Sequence, residues 1–363
     1  MSEKVEPSEL EATLFGASEF LEGGLEALRS VDSYVTILPG NYDIPFDITV
    51  HPGGRLEILP GTTLRFGPEG GIISYGTLIA RGDKSDKIRF TGEGWRNITL
   101  AGEGSNQSVL EHCIIEGGTG RSQRSTGRSQ RSLAYFKAGG GLGIFDSSSE
   151  VLNCDIRHNS ARKGGGVYVS GGNPRLSNNK IHRNIAISLE SRLGEGGGIY
   201  LQSSDAVIAG NTIDHNQARL GGGICIRRGK PTLTENMIQH NSASRSGGGI
   251  FIEYSNAILS TNTFEYNEGK SGAAIHLDGP ATLEDNVISY NRSERNVVYG
   301  PVSAVFVQHS GCHFSGNTIS GNTSYGGILG KRGAGLVLDS GRSITFNGDR
   351  IFDNEPLDIL QLK

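Results

Sequence analysis

Hydrophobic and polar residues alternate in short runs along most of the chain. Ile199-Tyr200-Leu201 and Ala206-Val207-Ile208 are examples, and glycine or polar residues follow each of them. Alternation with a period of two is typical of half-buried β-strands. No repeated unit has room for a helix, so the pattern predicts short strands that recur in units of about 25 residues.

These strands belong to an internal repeat. The template is Gly-Gly-Gly, apolar-x-apolar, a short turn, then Leu/Ile-x-x-Asn-x-Ile-x-x-Asn, as in GGGIYLQSSDAVIAGNTIDHN, GGGICIRRGKPTLTENMIQHN and GGGIFIEYSNAILSTNTFEYN. One unit cannot bury its apolar residues alone, so consecutive units must stack. The predicted fold is all-β, a right-handed parallel β-helix of about 12 rungs, and it replaces the two or three domains that length alone indicates.

Each unit carries two asparagine positions. The final Asn of the template is found at Asn159, Asn184, Asn216, Asn241, Asn267, Asn291, Asn322 and Asn354, and the earlier one at Asn179, Asn211, Asn236, Asn262, Asn286 and Asn317. Turn asparagines tolerate left-handed backbone and bond to neighbouring backbone, so we expect structural ladders and no catalytic role. Cys113 and Cys154 take the earlier position on neighbouring rungs, and Asp349 ends that column. Strands ~4.8 Å apart permit a disulfide, but with poor geometry, and we favour free interior thiols.

The two ends differ in pattern. Residues 1–33 are predicted to form a helical cap, with the helix over 8–30, because Ser8-Glu9-Leu10-Glu11 fits a capping box and leucines follow at broadly helical spacing. Residues 34–363 are predicted to form one β-helix domain, whose open strand edges a cap would protect. The final segment PLDILQLK is predicted to add a last strand. No helix is expected there, which leaves room for a protein partner at the C-terminal end.

Composition and charge exclude several functional classes. The chain has 363 residues, 55 of them Gly and 11 Pro, and its formal net charge is −4. A net negative charge argues against a dedicated nucleic-acid binder. No apolar run approaches the ~18 residues of a membrane span, and the first residues do not resemble a secretory signal. Four cysteines do not make a disulfide scaffold.

Segment 56–95, LEILPGTTLRFGPEGGIISYGTLIARGDKSDKIRFTGEGW, resembles the opening rungs of right-handed β-helix proteins of the pectate-lyase-like superfamily. The GGGIY…N-x-I-x-x-N units resemble the β-helix repeats of the same group, and the resemblance covers about 34–355. It implies the β-helix fold, a secreted or cell-surface location, and an activity drawn from lyases, hydrolases, epimerases or adhesins. The Arg-x-Pro-x-x-Arg, Asp-Pro-His and paired-Asp signatures of the enzymes are absent.

The repeat assigns side chains to faces. In the strand after the glycines, the first and third positions should face the core and the second and fourth should face outward. The second-position column is Gly143, Tyr168, Tyr200, Cys225, Phe251, His276, Phe306 and Val337. Aromatic rings stack on sugars, and exposed apolar stripes mark binding sites. The aromatic and histidine members of this column are therefore candidate substrate-binding residues, unless neighbouring loops cover them.

The fourth-position column holds the candidate chemistry. It consists of Phe145, Ser170, Gln202, Arg227, Glu253, Asp278, Gln308 and Asp339. Glu253 and Asp278 on adjacent rungs would lie ~5 Å apart, as in retaining glycosidases, or would hold Ca²⁺. In a lyase, Ca²⁺ would neutralise a uronate while Arg227 serves as base or substrate clamp. The flanking candidates for substrate binding are Arg228, Tyr254 and His309. The alternative is an exposed Arg–Glu charge pair worth under ~1 kcal/mol.

Cations collect at the corner before the glycines. They are Arg162, Lys163, Arg192, Arg219, Arg245, Lys270, Arg292, Arg295, Lys331 and Arg332, and the insertion at 119–132 adds Arg121, Arg124, Arg128 and Arg131. The acids at this corner are fewer: Glu190, Glu195, Glu268 and Glu294. A basic stripe on a net-acidic protein favours a polyanion lying along the axis, and with the aromatic column it favours an acidic polysaccharide over nucleic acid.

The sequence thus predicts a β-helix that binds or acts on an acidic polysaccharide, as a lyase or glycoside hydrolase if it is an enzyme. The alternative is a non-catalytic structural or adhesion module that mediates protein interactions. An RNA-binding solenoid that uses the arginine-rich insertion is a third hypothesis. His158, His215 and His240 precede ladder asparagines, where they are expected to line turns rather than bind a metal.

Overall fold

A computed structural model describes residues 13–15, 24–120, 138–187, 194–293, 302–309, 311–324, 334–339 and 344–362. It is a right-handed parallel β-helix of about 12 rungs, built from four all-parallel sheets that we call A, B, C and D. Only two short 3₁₀ helices are found in these ranges, at Gly24–Arg29 and Glu103–Ser105. None of the helical segments in the described part of the chain is long and apolar enough to cross a membrane.

Sheets A and C form two of the walls. Sheet A contains Thr13–Phe15, Tyr34–Ile37, Arg55–Ile58, Thr77–Arg81, Val109–Glu111, Glu150–Leu152, Arg175–Ser177, Val207–Ala209, Thr232–Thr234, Ala257–Ser260, Ala281–Glu284, Cys312–Ser315 and Ile344–Asn347. Sheet C contains Gly40–Ile44, Thr62–Phe66, Ile88–Thr91, Cys113–Glu116, Asp155–Arg157, Lys180–His182, Thr212–Asp214, Met237–Gln239, Thr263–Glu265, Val287–Ser289, Thr318–Ser320 and Arg350–Phe352.

Sheets B and D form the side that carries the candidate site. Sheet B contains Ser30–Val31, Asp47–Val50, Gly71–Ser74, Ile98–Ala101, Leu142–Phe145, Val167–Ser170, Ile199–Gln202, Ile224–Arg227, Ile250–Glu253, Ile275–Asp278, Ser303–Val307, Ala334–Leu338 and Ile359–Gln361. Sheet D contains Ser160–Ala161, Ile185–Ala186, Gln217–Leu220, Ser242–Ser246, Glu268–Ser271, Arg292–Ser293 and Thr323–Ser324. The first rungs run from C through B and A, and the rungs from Ser160 onward add a strand of D between C and B.

Apolar alternation explains where the core lies. In the strand Thr232–Thr234 the middle residue, Leu233, is buried and its neighbours are half exposed. Val207–Ala209 and Ala257–Ser260 on the adjacent rungs also bury Ile208 and Leu259, so Leu233 stacks between these two residues in the register of sheet A. The inward columns of the sheets merge into one continuous hydrophobic core along the axis. The core is thus built by stacking, as the repeat predicts.

Three glycines precede each sheet B strand from Leu142–Phe145 to Ile250–Glu253, where the rungs approach closely, and Ala273 and Ala274 take two of these positions in the next unit. A Cβ on Gly222 would lie 2.5 Å from the carbonyl oxygens of Gly248 and Ser242 in the next rung. Because the backbone oxygens of a packed rung are held in place, a side chain at Gly222 would force the two rungs apart. This close approach lets sheet D lie against the beginning of the sheet B strands.

Two columns of buried asparagines run along the axis. In one of them, Asn184 Nδ2 donates hydrogen bonds to Asn216 Oδ1 at 3.1 Å and to the carbonyl oxygen of Ile156 at 2.9 Å. Each backbone N–H also donates to the side chain of the next rung, as Asn184 N does to Asn216 Oδ1 at 3.0 Å. These amides satisfy backbone groups at corners where no strand can pair with them.

Aspartates end both columns. Asp349 Oδ1 accepts from the backbone N–H of Asn317 at 2.9 Å and from its side-chain Nδ2 at 2.7 Å. Asp358 Oδ1 accepts equivalent bonds from Asn354, at 2.9 and 3.0 Å. Cys113 and Cys154, which continue the earlier-position column at its other end, are free and buried. The preference for interior thiols over a disulfide is confirmed.

The N-terminal prediction needs correction. Residues Thr13–Phe15, placed in a helix by the leucine spacing, form a strand that pairs in parallel with Tyr34–Ile37. An open edge of sheet A offers unpaired backbone groups, and a short strand satisfies them where an isolated helix cannot. Gly24–Arg29 is a 3₁₀ helix, and the remainder of 8–30 up to residue 23 lies outside the described residues. The division of the chain at residue 33 stays a prediction. At the other end Ile359–Gln361 adds the expected last strand to sheet B.

Candidate functional site

A pocket of about 430 Å³ opens between the outer face of sheet B and the corner formed by sheet D. Its residues come from consecutive rungs, since Arg227, Glu253 and Asp278 pair in register and the next rungs continue through Gln308 and Asp339. Four spacings of about 4.8 Å give a length of roughly 19 Å along the axis. The pocket has the size of a small-ligand site and the length for more than one sugar residue.

Charges of opposite sign line the two sides of this pocket. Arg219 and Arg245 belong to sheet D strands and line the corner side. Glu253, Asp278 and Asp339 belong to the fourth-position column and line the side farther along the sheet B strands. The pocket can therefore bind an anionic group at one side and accept hydrogen bonds from hydroxyl groups at the other.

Arg227 is the centre of an ion-pair cluster at one end of the pocket. Its guanidinium pairs with Glu253 on the next rung and with Glu195 Oε1 at 3.2 Å. Glu195, 14% exposed, also pairs with Arg219 at 3.2 Å, and Lys163 Nζ lies 3.9 Å from it. Burial lowers the pKa of Lys163, and the charge of Glu195 offsets this only in part. The Arg–Glu pair considered as the alternative to a catalytic role is present, but it is largely buried rather than exposed, with side-chain exposures of 24% and 18%.

His276 lies in the middle of the pocket wall. The side chain is 6% exposed and packs between the rings of Phe251 and Phe306, with centroid distances of 4.9 and 5.1 Å. Burial lowers the pKa of His276 to about 4, although the side chain of Gln308 and the backbone of Ser271 offset part of the effect. The imidazole is therefore neutral at neutral pH.

The second-position column is covered, not exposed. Tyr200 and Cys225 are 0% exposed, and both pack with Leu220 of the corner segment. Phe251 and Phe306 are each 5% exposed. Of the two alternatives, an open aromatic surface or one covered by neighbouring segments, these residues show the covered one, because sheet D folds over the part of sheet B where they emerge. Their edges still line the pocket at Phe251, His276 and Phe306, so contact with a ligand stays a prediction for these three.

A family model described as right handed beta helix region matches residues 74–243 and 192–351, more than half of the chain. The chain belongs to this family. A 92-residue stretch is 36% identical to Protein bark beetle of Drosophila melanogaster, covering 25% of this chain and only 3% of that protein.

Two solved structures have a similar course of the chain. The Dettilon tailspike protein (gp208) matches with a TM-score of 0.47 and 15% identity, over 90% of this chain and 62% of its own. The periplasmic alginate epimerase AlgG matches with a TM-score of 0.45 and 12% identity, over 96% of this chain and 84% of its own. This chain thus spans less than two thirds of the tailspike chain.

The structure separates other predicted residues of this β-helix from the pocket. Arg228 and Tyr254 lie at the corner after sheet B, with φ of 65° and 51°, and both are exposed. They do not line the pocket, because that corner turns toward sheet A. Tyr168 is half buried and stacks on Tyr200 at 5.4 Å. His309 is half buried and lies outside the pocket lining.

The structure describes some of the cations that the sequence places at the corner before the glycines. Arg162, Arg245 and Arg292 are exposed, and Lys163, Arg219 and Lys270 are half buried. The predicted members Arg192, Arg295, Lys331 and Arg332, and the insertion residues Arg121, Arg124, Arg128 and Arg131, lie outside the described residues. Against the described cations, the described acids of this corner are Glu195 and Glu268. Among the described residues of this corner, cations therefore outnumber acids.

Within the described ranges, no three His, Cys, Asp or Glu side chains come together as a metal site. The Ca²⁺ prediction rested on Glu253 and Asp278. Arg227 already neutralises Glu253, so a calcium ion would have to compete with a guanidinium for that carboxylate. Ca²⁺ at this pair stays an expectation.

The sequence analysis missed two features, a serine in the pocket lining and an exposed stack of aromatic rings. Ser271 lines the pocket beside His276, but serines are common at corners and gave no signal. Tyr266 and Tyr290 follow His215 and His240 in an exposed stack at the corner between sheets C and D, with centroid distances of 5.0, 5.1 and 5.5 Å. Their shared place before a ladder asparagine could have revealed the column, which supports the expectation that the histidines line turns.

Proposed function

We propose that this β-helix binds an acidic polysaccharide in the pocket between sheets B and D, with the glycan chain parallel to the axis. The observation that carries the proposal is the pocket itself, which crosses consecutive rungs and has arginines along one side. A linear polymer with repeated charges matches a wall to which two neighbouring rungs contribute Arg219 and Arg245. A compact ligand would engage only part of this wall.

The charge of the corner supports an anionic ligand. Arg219, Arg245 and Lys270 follow one another on consecutive strands of sheet D, whereas Arg292 on the next strand pairs in register with Glu268. The whole chain carries a net charge of −4, so this positive corner is a local field and not a property of the entire surface. Such fields concentrate oppositely charged ligands and weaken as salt is added.

The carboxylates determine how the sugar would lie. An acid group close to Asp278 and Asp339 would be repelled, whereas sugar hydroxyls can donate hydrogen bonds to these oxygens. The acid group of each sugar would therefore face Arg245 and the corner. Its hydroxyl edge would face the carboxylates and Gln308.

The Arg227–Glu253 ion pair favours binding over hydrolysis by the predicted carboxylate pair. A general acid must hold a proton at the working pH, and an adjacent guanidinium favours the ionised carboxylate. Glu253 is thus suited to hold Arg227 in place rather than to protonate a leaving group. Asp278 would act as a hydroxyl acceptor.

The test is titration calorimetry with alginate, pectate and heparin oligosaccharides, at low and high salt. We expect at least one to bind, with an affinity that falls as salt rises. Arg245→Ala should weaken binding at least tenfold, the loss of one charge-assisted contact. Arg175→Ala on sheet A removes the same type of side chain away from the pocket and should change nothing.

Reducing ends and unsaturated-uronate absorbance would be read on the same samples, with and without Ca²⁺. Product formation would contradict the binding role and restore Arg227, Glu253 and Asp278 as catalytic candidates. Absence of binding by every glycan, or equal effects of the two arginine substitutions, would reject the proposal.

A further inference from the structure

Besides Nε of Arg227, whose guanidinium is already ion-paired, two deeply buried polar groups in the pocket wall have no hydrogen-bond partner among the described residues. They are Nδ1 of His276 and the hydroxyl of Ser271. These residues are 6% and 3% exposed, and both line the pocket. A buried polar atom without a partner destabilises a folded protein, so its presence calls for an explanation.

The residues around His276 do not supply a partner for Nδ1. The side chain of Gln308 and the backbone of Ser271 interact with the imidazole, but neither is a hydrogen-bond partner of Nδ1. The ring lies between Phe251 and Phe306, which contribute no hydrogen-bonding groups. The neutral imidazole has one donor nitrogen and one acceptor nitrogen. A hydroxyl group both donates and accepts, so it can pair with Nδ1 in either tautomer and with the Ser271 hydroxyl as well.

Charges of both signs act at this position, because the charge of Arg245 contributes to the lowered pKa of His276, but two carboxylates would repel an anion placed against the ring. Asp278 lies on the same strand as His276, and Glu253 lies on the same strand as Phe251. Both carboxylates line the pocket. A carboxylate or sulfate group is better placed at the arginine side. An uncharged, hydrogen-bonding group fits the wall at His276 and Ser271.

We infer that His276 and Ser271 form a hydroxyl-recognition subsite, in which they exchange hydrogen bonds with ring hydroxyls of the bound sugar. This inference rests on the proposed function, and it identifies the ligand as one that presents free hydroxyls opposite its acid group. A glycan modified at those hydroxyls, by acetylation or sulfation, would be excluded. The two residues would then select among acidic glycans that the arginines attract equally.

The test uses His276→Phe and Ser271→Ala in the full chain. His276→Phe keeps a ring between Phe251 and Phe306 and removes the polar atoms. Because each variant eliminates an unpartnered buried group, we expect the melting temperature without ligand to rise by about 2 °C. The same variants should bind the glycan identified above about tenfold more weakly. His240→Phe, at the exposed corner of sheets C and D, is the matched control and should change neither quantity.

The outcomes separate this inference from the proposed function. If no glycan binds the wild-type protein, the proposed function fails, and the assignment of the subsite to a sugar fails with it. If glycans bind and both variants bind them as tightly as wild type, the proposed function stands and the subsite is rejected. A lower melting temperature for both variants would also reject it, since it would make His276 and Ser271 ordinary structural residues satisfied by water. Stabilisation together with weaker binding is the result that only the subsite explains.

Discussion

The side-chain amide of Asn236 connects its own rung to both neighbouring rungs by hydrogen bonds. Its Nδ2 donates to the carbonyl of Ile208 at 2.8 Å and to Asn262 Oδ1 at 2.9 Å. Its Oδ1 accepts from the backbone N–H and from Nδ2 of Asn211, at 2.9 and 3.0 Å. One amide thus ties three rungs together at a corner that lacks a sheet ladder.

Replacing Asn236 with alanine should therefore lower the free energy of unfolding by about 3 kcal/mol, because the Ile208 carbonyl and the Asn211 N–H lose their partners inside the protein. Urea unfolding followed by circular dichroism measures the change. Asn256→Ala at an exposed corner is the control and should stay within about 0.5 kcal/mol of wild type. Equal effects of the two substitutions would show that the ladder contributes nothing special.

The buried imidazole of His276 predicts that the stability of the protein depends on pH. Its pKa of about 4 in the folded protein lies below its ordinary value of 6.5. Between these values the unfolded chain takes up a proton that the folded one does not, so stability should fall as pH drops from about 6.5 to 4. The loss attributable to this group is roughly 3 kcal/mol.

Urea unfolding at pH 7 and pH 4.5 measures this loss in wild type and in His276→Phe. The charged groups around the ring, including Glu253, Asp278 and Arg245, remain in both proteins and cancel in the comparison. The variant should show the smaller difference between the two pH values. Identical differences would mean that His276 titrates normally.

At the scale of elements, sheet D decides what the outer face of sheet B can do. The alternation of Ile224–Arg227 correctly predicts that Cys225 and Arg227 leave the core side of the strand. It cannot predict that Leu220 then covers Cys225, because covering depends on how the corner segment folds back. The ladder asparagines were predictable for the opposite reason: their bonds repeat with the rung and need no information beyond the period.

The glycines before sheet B give an element-scale prediction. Gly222→Ala would place a methyl group 2.5 Å from two backbone oxygens of the next rung, and we expect a loss of about 2 kcal/mol or more. Thermal unfolding measures it. Ala273, the equivalent residue one repeat beyond Gly248, provides the control: Ala273→Gly should cost about 0.5–1 kcal/mol, the usual penalty for backbone freedom. A Gly222→Ala variant as stable as this control would contradict the proposed close approach.

At the scale of the whole molecule, the rungs are interchangeable units. Each contacts only its neighbours, so the period of the repeat suffices to predict the β-helix and its approximate number of rungs. The pocket is different, since it joins residues of several rungs and depends on which side chains happen to follow one another. This is why the fold could be predicted with its register, while the pocket lining could be predicted only where it coincides with the fourth-position column.

Deletion of residues 217–241 should therefore leave a folded, shorter β-helix. Gln217 pairs with Ser242 and Asn216 with Asn241, so joining Asn216 to Ser242 preserves both register and ladder. Circular dichroism and thermal unfolding should show a cooperative β-protein, whereas deletion of 217–229 breaks the register and should prevent folding. The shorter helix lacks Arg219 and Arg227 and should bind glycan more weakly. Two deletions of equal effect would argue against independent rungs.

The aligned side-chain amides of the two ladders also give the β-helix a net dipole along its axis. In each column, one side-chain N–H of every asparagine donates to the side-chain oxygen of the next rung, so the amide dipoles add head to tail, as peptide groups do in a helix. The positive end of each array meets a carboxylate, Asp349 in one column and Asp358 in the other. An anion at the positive end of aligned dipoles is stabilising, and mutual polarisation strengthens such chains of hydrogen bonds. Each aspartate is a counter-charge at the end of its array, so neutralising it should weaken the ladder most at the rungs next to the substituted residue.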